Sequence, residues 1–205
     1  MLLHLLTGTE KHPAYENLEA AIQERLYAFL YSTVDAAVGF NRPFFSHELL
    51  KAFNFHAIAC LHTSAGQYRP IEVKVGNGDD AYYPPSFPLV QNHMEELVDR
   101  VNLSWHQTEP FELAAYVLWA INFIHPFING NGRTARAACY YILCVKVGGH
   151  LPGKTHLQEL LGREYRSEYV AALHAVDSSY RSATLDISPL RNLIEELFEK
   201  QLASA

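Results

Sequence analysis

The chain has 205 residues, of which 49% are hydrophobic and 19% are charged. A chain of this length and composition can bury a core, so intrinsic disorder is excluded as its class. A formal charge of -6 argues against a basic face for nucleic acid, although it leaves room for a small local anion site. The longest uncharged apolar stretch, 113–128, is shorter than the ~20 residues that a membrane span needs. We therefore expect a soluble protein without a nucleic-acid or membrane partner.

Cysteine and histidine usage bears on compartment and metal binding. Cys60, Cys139 and Cys144 include no CxxC spacing, and the eleven histidines form no HExxH or Cys/His metal motif. An odd number of cysteines is typical of a reduced intracellular protein. The apolar first residues lack the basic segment and cleavage site of a signal peptide. We expect a cytoplasmic location.

Apolar residues recur at helical spacing along most of the chain. In chain order, the segments with this pattern are 17–38, 46–62, 87–103, 112–124, 131–147, 155–161, 163–176 and 188–202. Segments 112–124 and 131–147 are apolar almost all round, which predicts two central helices. The sequence therefore predicts a mainly α fold, a bundle of about eight helices.

One segment changes the period from helical to alternating. Residues 68–75 place apolar side chains on one face and charged ones on the other, which is typical of a short strand. The turn signal at 76–79 follows, and the prolines at 84 and 85 predict that residues 82–85 are extended, because each proline disfavours helix at the residue before it. The sequence thus predicts one short β-hairpin inserted in the helical bundle.

Residues 125–136 read HPFINGNGRTAR and carry the clearest chemical signal. The Gly130-Asn131-Gly132 turn precedes a helix, so its backbone N–H groups and the positive helix end can converge on an anion. Arg133 and Arg136 lie three apart and share a face. Two arginines at a helix N-terminus are unfavourable unless an anion offsets them. The alternative, that they pair with carboxylates elsewhere, stays open on spacing alone.

His125 ends the apolar helix before that turn. A lone histidine in an apolar helix is usually a core residue, but this one lies five residues before an anion site. Nearby cations would lower its pKa and keep the imidazole neutral, as a general base requires. A histidine base beside a phosphate cradle suits transfer of a phosphate-containing group to a protonated nucleophile.

The same segment resembles the Fic-family motif HPFx(D/E)GNGRxxR and departs from it at Asn129. The resemblance extends over roughly 46–202. It implies a Fic-like catalytic domain at 46–205, preceded by a helical extension at 1–45 packed on the core. It also implies AMP transfer from ATP to a Ser, Thr or Tyr hydroxyl of a target protein, releasing pyrophosphate. Under it, His125 is the base, Phe127 anchors the loop, and the phosphate-binding residues are Gly130, Asn131, Gly132, Arg133 and Arg136.

The resemblance further implies that the hairpin is a flap to which a target segment adds as an extra strand. The alternative is an ordinary edge strand. The flap residues expected to dock the target are Tyr68, Arg69, Ile71, Val73 and Val75.

Asn129 stands where the family has an acidic residue that binds Mg²⁺. A neutral amide oxygen predicts weaker Mg²⁺ affinity, with Asp79, Asp80 or water as substitutes. Arg133, where the phosphotransferase branch of the superfamily has Lys, makes that branch a poorer match. The alternatives left open are another nucleotide or phosphate donor, removal of AMP by water, and a degenerate module that binds a nucleotide or a protein without turnover.

Regulation in many Fic proteins uses an inhibitory helix with the pattern (S/T)xxxE(G/N), whose Glu pairs with the second motif arginine. Residues 12–17 match only the Glu-Asn end of this pattern. We expect Glu16 to contact Arg136. Control by a separate antitoxin-like partner, or none, is the alternative, and a homo-oligomer is also expected.

Overall fold

The structure, a computed structural model, describes residues 13–76 and 81–205. These residues form eight α-helices, which confirms the mainly α prediction, and a 3₁₀ turn at Phe87–Leu89 leads into the third helix. The helices are α1 (Pro13–Gly39), α2 (His47–Ile58), α3 (Val90–Ser104), α4 (Pro110–Ile124), α5 (Asn131–Val147), α6 (Leu157–Gly162), α7 (Arg166–Arg181) and α8 (Ser188–Ala203).

Helices α4 and α5 form the centre of the bundle, as their apolar sequences predict. They pack against each other, with α1 and α2 against α5 and with α8 against α4. Every residue of 137–144 in α5 is buried. Full burial of a leucine- or isoleucine-sized side chain contributes about 2 kcal/mol to stability. Helices α4 and α5 therefore hold the connection between them firmly in place.

The ends of the central helices are set by local sequence. The Glu109 carboxylate caps α4 by accepting from the backbone N–H groups of Phe111 and Glu112. Helix α4 ends at His125, which is left-handed with φ 50°. Helix α5 follows Gly130, which has φ 79°, and stops at Gly148, another left-handed residue. A six-residue connection, 125–130, therefore joins the two most buried helices.

The prediction of a β-hairpin is wrong over the described residues, because 68–76 and 81–86 form no strand. Two isolated antiparallel bridges are present instead, Tyr68 with Phe127 and Val75 with Tyr82. Pro70 has no N–H to continue a ladder. The Arg69 guanidinium also donates to the Ile71 carbonyl, which a ladder would use. Residues 68–76 and 81–86, here called the flap, are thus held by one bridge to the motif loop and by one bridge between Val75 and Tyr82.

Helix α1 belongs to the main core. Its Leu26, Leu30 and Val34 join the main cluster of buried side chains, while Tyr15 and Ile22 pack with Leu61 in a smaller cluster. Whether 1–45 is a unit apart from 46–205 stays a prediction. None of the helices within 13–76 and 81–205 is long and apolar enough to cross a membrane.

The cysteines occupy ordinary structural positions. Cys139 and Cys144 are buried free thiols on α5, and Cys60 is exposed. Burial raises the pKa of Cys144 to about 11 and raises that of Cys139 further. Both thiols therefore stay protonated and unreactive at neutral pH, as expected for small core residues.

Candidate active site

His125 lies at the C-terminus of α4, where its backbone N–H still donates to the Ile121 carbonyl. Its left-handed conformation costs a non-glycine residue about 1 kcal/mol, and the buried packing of α4 and Phe127 on either side holds it there. The sharp reversal turns the side chain out of the helix axis and into a cleft of about 620 Å³.

The proton on the His125 ring is placed by one contact. Nδ1 lies 3.4 Å from the Asn122 carbonyl oxygen, which can only accept, so Nδ1 carries the proton. Nε2 is then the unprotonated nitrogen. Burial lowers the pKa of His125 to about 4, although the Asn122 carbonyl opposes that shift, and the Arg69 charge lowers it further. The imidazole is therefore neutral at pH 7, with a lone pair available on Nε2.

The turn after His125 is shaped by close packing under Gly130. A Cβ built on Gly130 would lie 2.6 Å from Ile58 Cγ2, and its φ of 79° favours glycine. The N–H groups of residues 131–133 begin α5 and have no carbonyl of their own helix to bond. The turn thus presents free donors and the positive helix end, as predicted.

The side chain of Asn131 is bonded to the motif loop itself, so its predicted phosphate-binding role stays a prediction for the backbone N–H. Its Oδ1 accepts from the Phe127 N–H at 2.9 Å, and its Nδ2 donates to the Phe127 carbonyl at 2.8 Å. Both ends of the amide are used, and the residue is buried. Asn131 therefore fixes the loop, and only its backbone N–H remains for an anion. Phe127 itself is fully buried, as expected of an anchor.

Asn54 is a site residue that the sequence analysis missed. It is fully buried on α2, donates to the Asn129 carbonyl at 2.9 Å and to Thr134 Oγ1 at 3.3 Å, and accepts from the Gly66 N–H at 2.9 Å. These bonds join α2, the motif turn and the start of the flap. The available signal was an amide at helical spacing between Leu50 and Ile58, on the apolar face of α2.

The side chains of Arg69 and Tyr68 make structural contacts, while target docking through the backbone of this segment stays a prediction. Arg69 is 3% exposed, and its guanidinium donates to the carbonyls of His125, Ile71 and Pro85. The Tyr68 hydroxyl forms a hydrogen bond with His47 Nδ1 at 2.9 Å, and the Tyr68 ring packs on Phe127. These two residues fasten the flap to the motif loop, whereas Ile71 is exposed and Val73 and Val75 are half-buried.

The acidic partner of the motif arginines differs from the prediction. Arg133 Nη1 lies 3.3 Å from Glu19 Oε1 on α1, although that geometry makes no hydrogen bond. Glu16 lines the same space as Arg136, but no ion pair within 4 Å joins them in the described residues. Glu19 lies one helical turn beyond Glu16, and the pitch of α1 decides which carboxylate reaches α5.

Arg136 has no carboxylate within 4 Å among residues 13–76 and 81–205. Its guanidinium lies against Gly162, where a Cβ would be 3.2 Å from Cζ. Burial is the main cause that lowers the pKa of Arg136, and the charges of Arg133 and Arg166 add to it. Arg136 is half-buried, and a partly desolvated cation without a counter-ion favours an anion beside it.

The cleft therefore brings a neutral imidazole together with two arginines. His125, the turn 129–132 and the two motif arginines line one end, and the other end is walled by the flap and α7. The wall on α7 includes Asp177, one of whose oxygens accepts from Trp119 Nε1 at 2.8 Å. Such a cleft can hold an extended phosphate-bearing ligand with its phosphates beside His125.

Comparison of the sequence with protein families finds a match that includes the cleft residues. The Fic/DOC family model matches residues 44–143 of the chain. The chain contains a Fic domain. Protein adenylyltransferase fic-1 of Caenorhabditis elegans is 33% identical over 114 residues, which are 55% of this chain and 20% of that protein. The matched segment thus spans about a fifth of that relative, so its activity does not transfer with the family.

Solved structures extend the likeness to the whole fold. A Fic family protein from Desulfovibrio desulfuricans G20 superposes with a TM-score of 0.70 at 20% identity, over 98% of this chain and 57% of that one. A Fic domain containing signaling protein from Bacteroides thetaiotaomicron gives a TM-score of 0.71 at 22% identity, over 98% and 76%. At these identities the likeness shows the fold, so the Fic fold includes α1 and the C-terminal helices.

Proposed function

We propose that the protein transfers AMP from ATP to a Ser, Thr or Tyr hydroxyl of a target protein. The observation that carries the proposal is the neutral imidazole of His125, which opens into the cleft beside the N-terminus of α5. The similarity to the C. elegans relative, a protein adenylyltransferase, supports it.

The proposed step uses groups already described. The target hydroxyl gives its proton to His125 Nε2 while its oxygen forms a bond to the α-phosphorus. The bond from the α-phosphorus to the bridging oxygen breaks, and pyrophosphate leaves. The free N–H groups of 131–133 and the Arg133 and Arg136 guanidiniums would stabilise charge on the phosphate oxygens.

The proposal includes a Mg²⁺ ion, and Asn129 is the residue that would bind it. Asn129 lines the cleft, and its backbone oxygen is already bonded to Asn54, so its side-chain oxygen is the remaining ligand atom. No group of three or more His, Cys, Asp or Glu within the described ranges could hold a metal. A Mg²⁺ ion arriving with the nucleotide would be held by the Asn129 amide oxygen and the phosphates, and would neutralise phosphate charge. Asp79 and Asp80 lie outside the described residues.

The flap would receive the target segment. Residues 72–74 belong to no helix or strand, and among described residues their backbone N–H groups make no backbone hydrogen bond. A target strand could pair with this free edge and present its hydroxyl at His125. A separate antitoxin-like inhibitor and self-association remain predictions about partners.

The test is incubation with α-labelled ATP, Mg²⁺ or Mn²⁺, and cell extract. We expect labelled protein from wild type and none from His125→Ala, with UTP and GTP run in parallel to find the preferred donor. Asn129→Asp is expected to strengthen Mg²⁺-dependent labelling.

Asn129 also favours a second function, a module that binds nucleotide without turnover. Nucleotide binding with no label under any metal or donor would establish that function instead.

A further inference from the structure

The end of the bundle opposite the cleft carries exposed aromatic side chains. The cleft lies at the start of α5, where Glu19 of α1 reaches a motif arginine. Helix α1 continues from there to Gly39, which is about 30 Å away at 1.5 Å per residue. The connection that follows, 40–46, places Phe40 and Phe44 on the surface, with 76% and 41% of their areas exposed. A contiguous exposed apolar patch of this kind is typical of a protein interaction site.

The connection 40–46 is held in one conformation despite backbone strain. Phe44 has φ 50°, in the left-handed region that a bulky residue rarely adopts. The Tyr141 hydroxyl donates to the Pro43 carbonyl, and Asn102 Nδ2 donates at 3.0 Å to the carbonyl of the residue after Phe44. Strain persists where surrounding contacts impose it. The aromatic side chains are therefore presented by a fixed segment, which lowers the entropy cost of binding a partner.

The two exposed rings lie against each other and against a cation. The Phe40 and Phe44 ring centroids are 6.1 Å apart, and the Arg42 guanidinium lies 5.7 Å from the Phe44 centroid. No carboxylate lies within 4 Å of Arg42 among residues 13–76 and 81–205. Arginine and large aromatic residues are enriched among the residues that contribute most to binding at protein interfaces.

Val147, the last residue of α5, lies at the same end of the bundle and is 61% exposed. Three residues later, His150 Nε2 lies 2.7 Å from Asp35 Oδ1 near the end of α1. The ends of α1 and α5 are therefore neighbours, and Phe40 follows directly from the former. The other carboxylate oxygen of Asp35 has no hydrogen bond within the described part of the chain. The end patch is defined as Asp35, Phe40, Arg42, Phe44 and Val147.

We propose that the end patch is the contact between two copies of this chain in a two-fold symmetric dimer. The charges favour a second copy, because the patch carries one cation and one carboxylate that each have bonding capacity left. Across a two-fold axis, Arg42 of each protomer can pair with Asp35 of its partner, so the same ion pair forms twice. Helix α5, which is 17 residues or about 25 Å long, separates the patch from the cleft, so both clefts stay open.

The exposed apolar area also agrees with that of a dimer interface. A phenylalanine side chain covers about 200 Å², so the exposed parts of Phe40 and Phe44 amount to about 230 Å² in each protomer. A stable interface buries about 800 Å² per protomer, of which roughly 500 Å² is apolar. The two rings therefore supply nearly half of the apolar area that a dimer needs, and Val147 adds to it.

Sedimentation equilibrium over about a hundredfold range of protein concentration tests the dimer. We expect wild type to have twice the chain mass of 23.2 kDa. Phe40→Asp should raise the dissociation constant about thirtyfold or more, because it places a charge in the centre of the contact. Leu89→Asp is the matched control, since Leu89 is 49% exposed at the flap end of α3, and it should dimerise as wild type does.

Phe44→Gly serves if Phe40→Asp does not fold, because glycine adopts a positive φ without strain while removing the ring. It should also weaken the dimer about tenfold or more. A monomeric wild type, or dissociation constants equal to that of wild type in the folded variants of both phenylalanines, would overturn the proposal.

A charge exchange distinguishes a second copy from any other partner. Arg42→Asp and Asp35→Arg should each weaken the dimer about tenfold by placing like charges across the axis, and the double variant should regain most of the affinity. A double variant weaker than either single variant would overturn the two-fold contact. His125→Ala should dimerise as wild type does, and Phe40→Asp should keep AMP transfer. Dimers without AMP transfer would remove the proposed reaction alone, whereas AMP transfer by a monomeric wild type would remove the dimer alone.

Discussion

The neutral state of His125 has a measurable effect on stability. Its folded pKa is about 4, against the ordinary value of 6.5 for the unfolded chain. Between these values the unfolded state binds a proton that the folded state does not, so stability falls as the pH is lowered from 7.5 toward 4. Because no proton is bound in either state at pH 7.5, the histidine has no such effect there.

The size of the effect follows from the two pKa values. Integrating proton uptake from pH 7.5 to pH 5.0 gives a loss of about 2 kcal/mol from His125 alone. A His125→Asn variant keeps a polar side chain of similar size but cannot titrate. Wild type should therefore lose about 2 kcal/mol more unfolding free energy than the variant over this interval.

Urea denaturation at pH 7.5 and 5.0, followed by tryptophan fluorescence and circular dichroism, measures the difference. His56 and His62, whose pKa values burial also lowers, are present in both proteins, so their contributions cancel. Equal losses in wild type and His125→Asn would show that His125 is not buried neutral, and the argument for a general base would fall with it.

Three other predictions concern the support of the motif. Gly130→Ala, which needs a strained φ and drives Cβ against Ile58, should cost about 2–4 kcal/mol and lower Tm by about 5–15 °C. Gly149→Ala, with open space at Cβ, should have little effect, and a similar drop in both would refute the packing argument. Asn54→Leu should cost about 2–4 kcal/mol by leaving the Gly66 N–H and Asn129 carbonyl unpaired, and the exposed Asn192→Leu is its control in the same thermal melts. Glu19→Gln should raise nucleotide affinity a few-fold by freeing Arg133, whereas Glu16→Gln should not. Calorimetry with equal affinities for both would show that the Glu19 pair is irrelevant.

Much of the fold was predictable because helical periodicity is written in local sequence. Helix α5 was predicted with its observed bounds, since Gly130 and Gly148 mark both ends. Helix α2 was predicted to run to 62 but ends at Ile58, because Ala59 leaves helical geometry and Cys60 is left-handed. Apolar spacing alone does not register such a stop.

The alternating pattern of the flap led to a wrong prediction of a strand. Alternation describes where side chains lie, whereas a strand also requires a neighbouring backbone to pair with. Residues 68–75 have the apolar pattern, but no strand pairs with them within the described parts of the chain. The Arg69 guanidinium also bonds the carbonyls of Ile71 and Pro85, on the two sides of the flap. Only tertiary structure decides whether a neighbouring backbone lies within hydrogen-bond distance.

The sequence by itself determined the bundle, its two central helices and the cluster of His125, glycines and arginines at their junction. These follow from residue types and spacings within a few turns of chain. The tertiary structure decided which groups are already bonded. It turned the Asn131 amide inward, brought Asn54 under the loop and paired Arg133 with Glu19. It also left Arg136 without a carboxylate within 4 Å in the described part of the chain. Those outcomes depend on contacts between residues far apart in sequence, because a hydrogen-bonding group is free or satisfied only with respect to its neighbours in space.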